Sequence, residues 1–469
     1  MIAVKRAAVL LALVAGAASA QEVRVVDDQR AEVIAILFRI AGASDFSTGN
    51  VQPYTRQVDS AFLPYRNHAV FAELNRLRKA YGIALSDVTS LAPQITDPIT
   101  FGERAPIDAA KSTLARSWHG AEARQFLAQA RDFARVANVA GFLRTQQPVY
   151  DSATARMRRL VDARGHLDWF GRFFAEPGRD VLIVSPLLGT SRGNFATDFY
   201  DGSTHERYGF LGVPGSDSAG FPVLDPETLP TLIHEFNHSY VNHVLDSVSP
   251  QLRRAGERIF PAVRDAMSRL AYSNAQVMFN ESVVRAGVIR YLLATSGAAA
   301  ARSELALQRG LGFVWMEELV DLLGEYEANR RVYPTFSAFA PRLVAYYDDL
   351  AGRIDRVQAA FESQRPRIVK TSITNGAREV DPGIQELVLT FSKPVSTSIV
   401  FKGNFGETIP ELTGHSFDAT RTILTIGIKL RPGMRYTIPF GPAFMNDDGY
   451  PNQRLDLSFA TKPLSRSPR

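Results

Sequence analysis

Residues 234–238 read His-Glu-Phe-Asn-His, inside the longer run Leu229-Pro230-Thr231-Leu232-Ile233-His234-Glu235-Phe236-Asn237-His238-Ser239-Tyr240-Val241-Asn242-His243. On a helix, His234 and His238 are four apart, so their rings leave one face a turn above each other. That spacing lets two imidazole nitrogens reach one Zn²⁺ at about 2.0–2.1 Å each. Glu235 then stands beside the ion, where a carboxylate can take a proton from water held there. The chain has eight histidines, and three of them (His234, His238, His243) fall within ten residues. The competing reading is a surface helix that carries two histidines by accident.

The flanking residues predict a buried helix. Asp225-Pro226-Glu227-Thr228 supplies an N-cap, an early proline and acidic character for a helix start. Leu229, Leu232, Ile233, Phe236, Tyr240, Val241, Val244 and Leu245 then cover most of the helix circumference, which suits packing inside a domain. Histidines and a glutamate in such a setting need partners, because burying unpaired polar groups is costly. A metal is the simplest partner.

Zinc in a catalytic site takes a third protein ligand and keeps a fourth position open. The metzincin pattern requires a glycine three residues and a histidine six residues after the second histidine. Val241 and Val244 stand there, which excludes that class. His243 lies about 500° of helical rotation beyond His238 and is expected to be a partly exposed helix residue. Glu281, in Asn280-Glu281-Ser282-Val283-Val284-Arg285-Ala286, is the better third ligand. A glutamate on a second helix some forty residues after the motif is the gluzincin arrangement. The alternative for Glu281 is an exposed helix glutamate paired with Arg285 at i+4, a contact worth a few tenths of a kcal/mol.

Residues from about 24 to 360 resemble a bacterial family of gluzincin-like metallopeptidase domains whose chemistry is not established. The resemblance is carried by His234 to Asn242 (His-Glu-Phe-Asn-His-Ser-Tyr-Val-Asn), by Asn280 to Ala286, and by Arg30 to Gly42, which looks like the family's opening helix. It implies metal ligation by His234, His238 and Glu281, with Glu235 as general base. Zn²⁺ is the implied cofactor and a peptide or protein the implied substrate.

Amide hydrolysis also needs a donor for the developing oxyanion. Tyr291 sits about 15 Å along the helix from Glu281, too far unless that helix breaks. Tyr333, in Arg330-Arg331-Val332-Tyr333-Pro334, is the phenol chosen here, about fifty residues past the third ligand. The competing reading of Tyr333 is a helix-capping aromatic packed on the core. Asn237 and Asn242 read as structural groups or as partners of the ligands. Asp180-Val181-Leu182-Ile183-Val184 reads as a buried strand, and Gly189 to Ala196 as the next turn and edge strand or an ordinary surface loop. An extended peptide adding to such an edge would be held by main-chain hydrogen bonds.

Lys5 and Arg6 precede the apolar stretch Ala7 to Ala15, and Ala18-Ser19-Ala20 offers a small-residue cleavage site before Gln21. The expectation is a signal peptide over 1–20 and a periplasmic or secreted protein without a transmembrane anchor after its removal. The apolar run is too short for a permanent span. The sequence contains no cysteine, so no disulfide is available and core packing alone must hold the fold. The formal net charge is +5, two of it within the signal segment. No concentrated basic stripe points to nucleic acid.

Helical periodicity continues over Ala121 to Phe142, Phe313 to Tyr326 and Pro341 to Phe361. The pattern changes near Arg365-Pro366. Short alternating runs follow at Glu386–Phe391, Ile423–Ile426, Arg435–Ile438 and Leu455–Phe459, separated by Asn375-Gly376, Asp381-Pro382-Gly383, Arg431-Pro432-Gly433 and Asp447-Asp448-Gly449. About seven strands in about one hundred residues predict a small β-sandwich. Pro366 to Pro382 and Leu387 to Val395 resemble bacterial Ig-like domains of the surface-layer type. The expected organisation is α+β. A mainly helical, zincin-like metallopeptidase domain with a small mixed sheet spans 21–365, an Ig-like β-sandwich 366–463 and a short tail 464–469. Two functions fit this plan. One is an exported zinc-dependent peptidase. The other is a non-catalytic cell-envelope or extracellular binding protein that makes its contacts through the Ig-like module.

Overall fold

The computed structural model describes residues 23–47, 49, 51–107, 118–176, 178–185, 194–224, 228–397, 408–441 and 444–463. The expected signal segment, the Asp225-Pro226-Glu227 helix start, positions 189–193 of the expected edge region and the tail 464–469 lie outside them. The architecture is α+β. A mainly helical region with a small mixed sheet comes first, and antiparallel sheets follow at the C-terminal end. Two compact units, Met1–Ser239 and Tyr240–Arg469, divide the chain.

The first unit opens on strand β1 (Val23–Val26) and helix α1 (Arg30–Ile40). From Ala31 to Phe38 every residue of α1 is buried, Glu32 included. Helices α2 (Gln52–Phe62), α3 (Ala69–Tyr81), α4 (Leu85–Leu91), α5 (Gly120–Val136), α6 (Val139–Arg164) and α7 (Asp168–Phe174) follow. The periodic stretch Ala121 to Phe142 is two helices rather than one. Asn138 adopts left-handed backbone (φ +50°), and its side chain accepts the Gly141 N–H to cap α6. A side-chain cap of this kind competes locally with continued helix. In α7 the side chains of Trp169, Phe170, Phe173 and Phe174 are all buried.

Strands β2 (Arg179–Ser185), β3 (Phe195–Tyr200) and β4 (His205–Gly212) complete a sheet of order β1-β2-β4-β3. β2 runs parallel to both β1 and β4, whereas β3 is antiparallel and forms an edge. The expected strand at Asp180–Val184 is therefore an inner strand with parallel neighbours, where continuous apolar runs are the rule. At its start, Asp180 accepts a 2.7 Å bond from Arg207 of β4, and both side chains are fully buried. Two short strands, β5 (Gly215–Ser216) and β6 (Pro222–Val223), pair before helix α8 (Thr228–Ser247). Phe236 of α8 reaches β4 because Gly209 lacks a side chain. A Cβ there would stand 2.7 Å from the Phe236 ring.

The second unit continues with α9 (Ser249–Arg269), α10 (Ala275–Thr295), α11 (Ala298–Leu311), α12 (Met316–Ala328) and α13 (Phe336–Gln364). α13 begins before the expected Pro341, because the Thr335 hydroxyl caps it by accepting the Ala338 N–H. Beyond Arg365, strands β7 (Ile368–Thr371), β8 (Glu386–Phe391), β9 (Glu411–Phe417), β10 (Ile423–Lys429), β11 (Arg435–Phe440) and β12 (Leu455–Ala460) form two antiparallel sheets, β7-β8-β10-β9 and β11-β12. Burial alternates along β8, β10 and β11. Leu387, Leu389, Leu424, Ile426, Tyr436, Ile438, Leu457 and Phe459 meet in one core. Strict alternation follows from the two-residue period of a strand with one face on a core.

Candidate metal centre

Helix α8 is buried over most of its surface. Leu232, Ile233, Phe236, Tyr240, Val241, Val244 and Leu245 are at most 2% exposed. Its interior polar residues turn back on the helix itself. Asn237 donates to the Ile233 carbonyl at 2.9 Å, and Ser239 to the Phe236 carbonyl at 2.8 Å. Thr231, His234, Glu235, His238 and Asn242 are half-buried, and their spacing of three and four residues makes one stripe. The sequence thus leaves a single lane open along this face, and the motif occupies it. Asn237 and Asn242 fall on different faces, the first in the core and the second on the lane.

The two histidine Nε2 atoms lie 3.2 Å apart, with ring planes at 78°. Two nitrogens each about 2.0–2.1 Å from one tetrahedral ion stand about 3.3–3.4 Å apart, so the rings are already at ligand separation. Glu281 of α10 completes the group. One ligand atom from each of His234, His238 and Glu281 lies within 4.8 Å of the other two. Among the described residues this is the one cluster of three or more histidine, cysteine or acidic side chains close enough to hold an ion. Two imidazoles and one carboxylate match the donor set of three-ligand zinc sites. His243 does not belong to that cluster.

Glu281 is also held from behind. Arg285, one turn later, donates through Nε to Glu281 Oε2 at 3.1 Å, and the two side chains are 14% and 12% exposed. The pairing expected for an exposed helix glutamate is therefore present, but in a mostly buried place and on the residue that faces the histidines. Arg285 Nη2 donates to the phenol oxygen of Tyr272 at 2.6 Å. Burial first, and then the nearby Glu281 carboxylate, push the Tyr272 hydroxyl up to about 12.

Tyr333 lies in the turn after α12. Its ring packs edge-on against Phe339 with centroids 4.8 Å apart, and its N–H donates to the Asn329 carbonyl. Tyr291 is buried in α10 at 5% exposure. Sequence reasoning missed Tyr272, which sits nine residues before Glu281 in the turn between α9 and α10. The signals there were faint. Ala271 takes left-handed backbone (φ +62°) and Asn274 caps α10 by accepting the Val277 N–H. Neither says which way the intervening phenol points.

An α+β chain with a helix-borne histidine pair and a glutamate from a second helix is the class of protein that fold and cluster define. The chain belongs to the family described as "Domain of unknown function (DUF4932)", whose profile matches residues 25–346. That span contains all three clustered side chains and the opening helix, and ends within α13. No curated protein and no solved structure matches the chain.

Proposed function

We propose that this chain is an exported, zinc-dependent peptidase of gluzincin type. The observation that carries the reading is the 3.2 Å separation of the His234 and His238 Nε2 atoms with the Glu281 carboxylate in the same cluster. His234, His238 and Glu281 would hold the ion. When bound, a zinc ion supplies a Lewis acid and an acidified water. Glu235 shares the open lane of α8 with the histidines, so its carboxylate is the base at hand. It takes the proton from the attacking water as the C–O bond forms at the peptide carbonyl. It then gives that proton to the amine nitrogen as the C–N bond breaks. Among the described strands β3 stands at an edge of its sheet, the position at which an extended peptide can add, which supports a peptide substrate of broad sequence. Of Tyr272, Tyr291 and Tyr333, Tyr272 has the strongest support as the phenol that assists the developing oxyanion, because Arg285 joins its hydroxyl to Glu281. Export rests on the charged and apolar pattern of Lys5 to Ala20. A second module over 366–463, of the Ig-like kind, would serve as a contact surface for an envelope or extracellular ligand.

The test is zinc content and turnover measured together on an unstructured protein substrate. Wild type is expected to carry about one zinc per chain and to cleave. Glu235→Gln is expected to keep the metal and lose turnover. Zinc retained with no cleavage of a broad peptide library by wild type would replace this reading with the binding one.

A further inference from the structure

All three guanidinium nitrogens of Arg285 are engaged, each by a different residue. Nε donates to Glu281 Oε2 at 3.1 Å, Nη1 to Gln308 Oε1 at 2.9 Å and Nη2 to the Tyr272 phenol oxygen at 2.6 Å. The guanidinium also lies over the Phe313 ring, 5.3 Å from its centroid. Gln308 is 2% exposed, Phe313 is fully buried, and Gln308 donates onward to Glu304. The partners come from α10, α11 and the turns preceding α10 and α12. An ordinary i,i+4 helix pair leaves the arginine head in water and contributes a few tenths of a kcal/mol. Here the head is withdrawn from water, which is costly unless every donor is met. It is also set against a carboxylate that faces two imidazoles, where a second positive charge works against a bound cation. Attraction to the Glu281 carboxylate accounts for a positive charge in this place but not for a planar fork. Geometry accounts for the fork, because a carboxylate has two oxygens, and fixing one directs the other.

We propose that Arg285 is the positioning residue of the metal centre: its three-point fork locks Oε2 of Glu281 and the phenol of Tyr272, so that Glu281 offers the ion one oxygen in a fixed direction. The inference rests on the zinc reading above and deepens it. Arg285 acts through Glu281 and does not itself meet substrate. The planar fork is essential to the role, so lysine cannot replace it, although lysine keeps the charge.

The experiment compares wild type with Arg285→Met, Arg285→Lys and Tyr272→Phe. It measures zinc affinity by chelator competition, the visible spectrum of the cobalt-loaded protein, and thermal melting to confirm folding. Arg285→Met is expected to bind zinc about 10–100-fold more weakly, the usual effect of removing a partner of a metal ligand. Its cobalt spectrum should shift as the second carboxylate oxygen is released. Arg285→Lys should lose nearly as much affinity as methionine. Tyr272→Phe removes one hydroxyl from a turn, and should weaken zinc several-fold without lowering the melting temperature. It decides the matter if the Arg285 variants do not fold. Tighter zinc binding by Arg285→Met, wild-type affinity in Arg285→Lys, or an unchanged spectrum and affinity in Tyr272→Phe would overturn the proposal and leave the zinc reading standing. Wild type that binds no zinc would instead remove the zinc reading and this inference with it.

Discussion

At the scale of single residues, the account predicts distinct outcomes for side chains that share one small volume. His234→Ala and Glu281→Ala should lose zinc and turnover together, whereas Glu235→Gln should lose turnover alone. Metal analysis beside a cleavage assay separates the two classes. Between the phenols, the one that donates to the developing oxyanion should cost about 10²–10³-fold in kcat when changed to phenylalanine. The account expects that loss for Tyr272→Phe and near wild-type kcat for Tyr333→Phe, which packs on Phe339 beside Arg342. The reverse result would return the assisting role to Tyr333. His234 and His238 were legible in the sequence because i and i+4 positions meet within one helix, with no tertiary knowledge required. Glu281 was legible through the order of ligands along the chain. Tyr272 and Gln308 were not, since a turn and a third helix bring them to Arg285 and no local spacing encodes that meeting.

At the scale of elements, the seat of α8 on the sheet depends on Gly209. A Cβ at that position would stand 2.7 Å from the Phe236 ring, one residue from Glu235. Gly209→Val should therefore destabilise the protein by about 1–3 kcal/mol, as overpacking does. It should also lower turnover by shifting the helix, which thermal melting and kinetics would both register. A different element sets an acid limit. Burial would raise the Glu206 carboxyl on β4, but the Tyr208 hydroxyl and the Arg104 guanidinium, which donates at 2.7 Å, hold it below its ordinary value. A carboxyl with a lowered folded value adds stability that is fully present above its unfolded value, near 4.5. That stability is lost as pH falls through the lowered one. The melting temperature of wild type should fall more steeply than that of Glu206→Gln as pH is taken below about 4.5. Parallel curves for the two would show that the Arg104 contact adds nothing. The element boundaries show what periodicity leaves out. Ala121 to Phe142 reads as one helix by its apolar spacing, yet the Asn138 side chain gives the backbone a local partner and breaks it. The Thr335 cap likewise starts α13 before Pro341.

At the scale of the whole molecule, the α+β plan was readable from the change of period near Arg365-Pro366, where three- and four-residue spacing gives way to two. Contacts at that change were not readable. Arg365 donates to the carbonyls of Pro451 and Asn452 at 3.0 and 2.8 Å, Phe361 packs on Tyr450, and Lys393 donates to the Ser363 and Gln364 carbonyls at the end of α13. Gly449, with φ +80°, lies so close to Ala306 of α11 that a Cβ would overlap it. Gly449→Val should combine left-handed strain with that overlap and lower the melting temperature by several degrees. An unchanged melting temperature would show that the strand region and α11 hold together without this contact. Gln308, two residues after Ala306 on α11, accepts from Arg285, so α11 touches both the strand region and the arginine behind Glu281. All of this turns on one ion held by residues from two helices. The most direct measurement is an anomalous-difference map at the zinc edge from crystals of the zinc-loaded protein. The account predicts one peak about 2.0–2.1 Å from a ring nitrogen of His234, a ring nitrogen of His238 and one carboxylate oxygen of Glu281. A peak elsewhere, or one at the histidines with Glu281 turned away and still paired to Arg285, would contradict it.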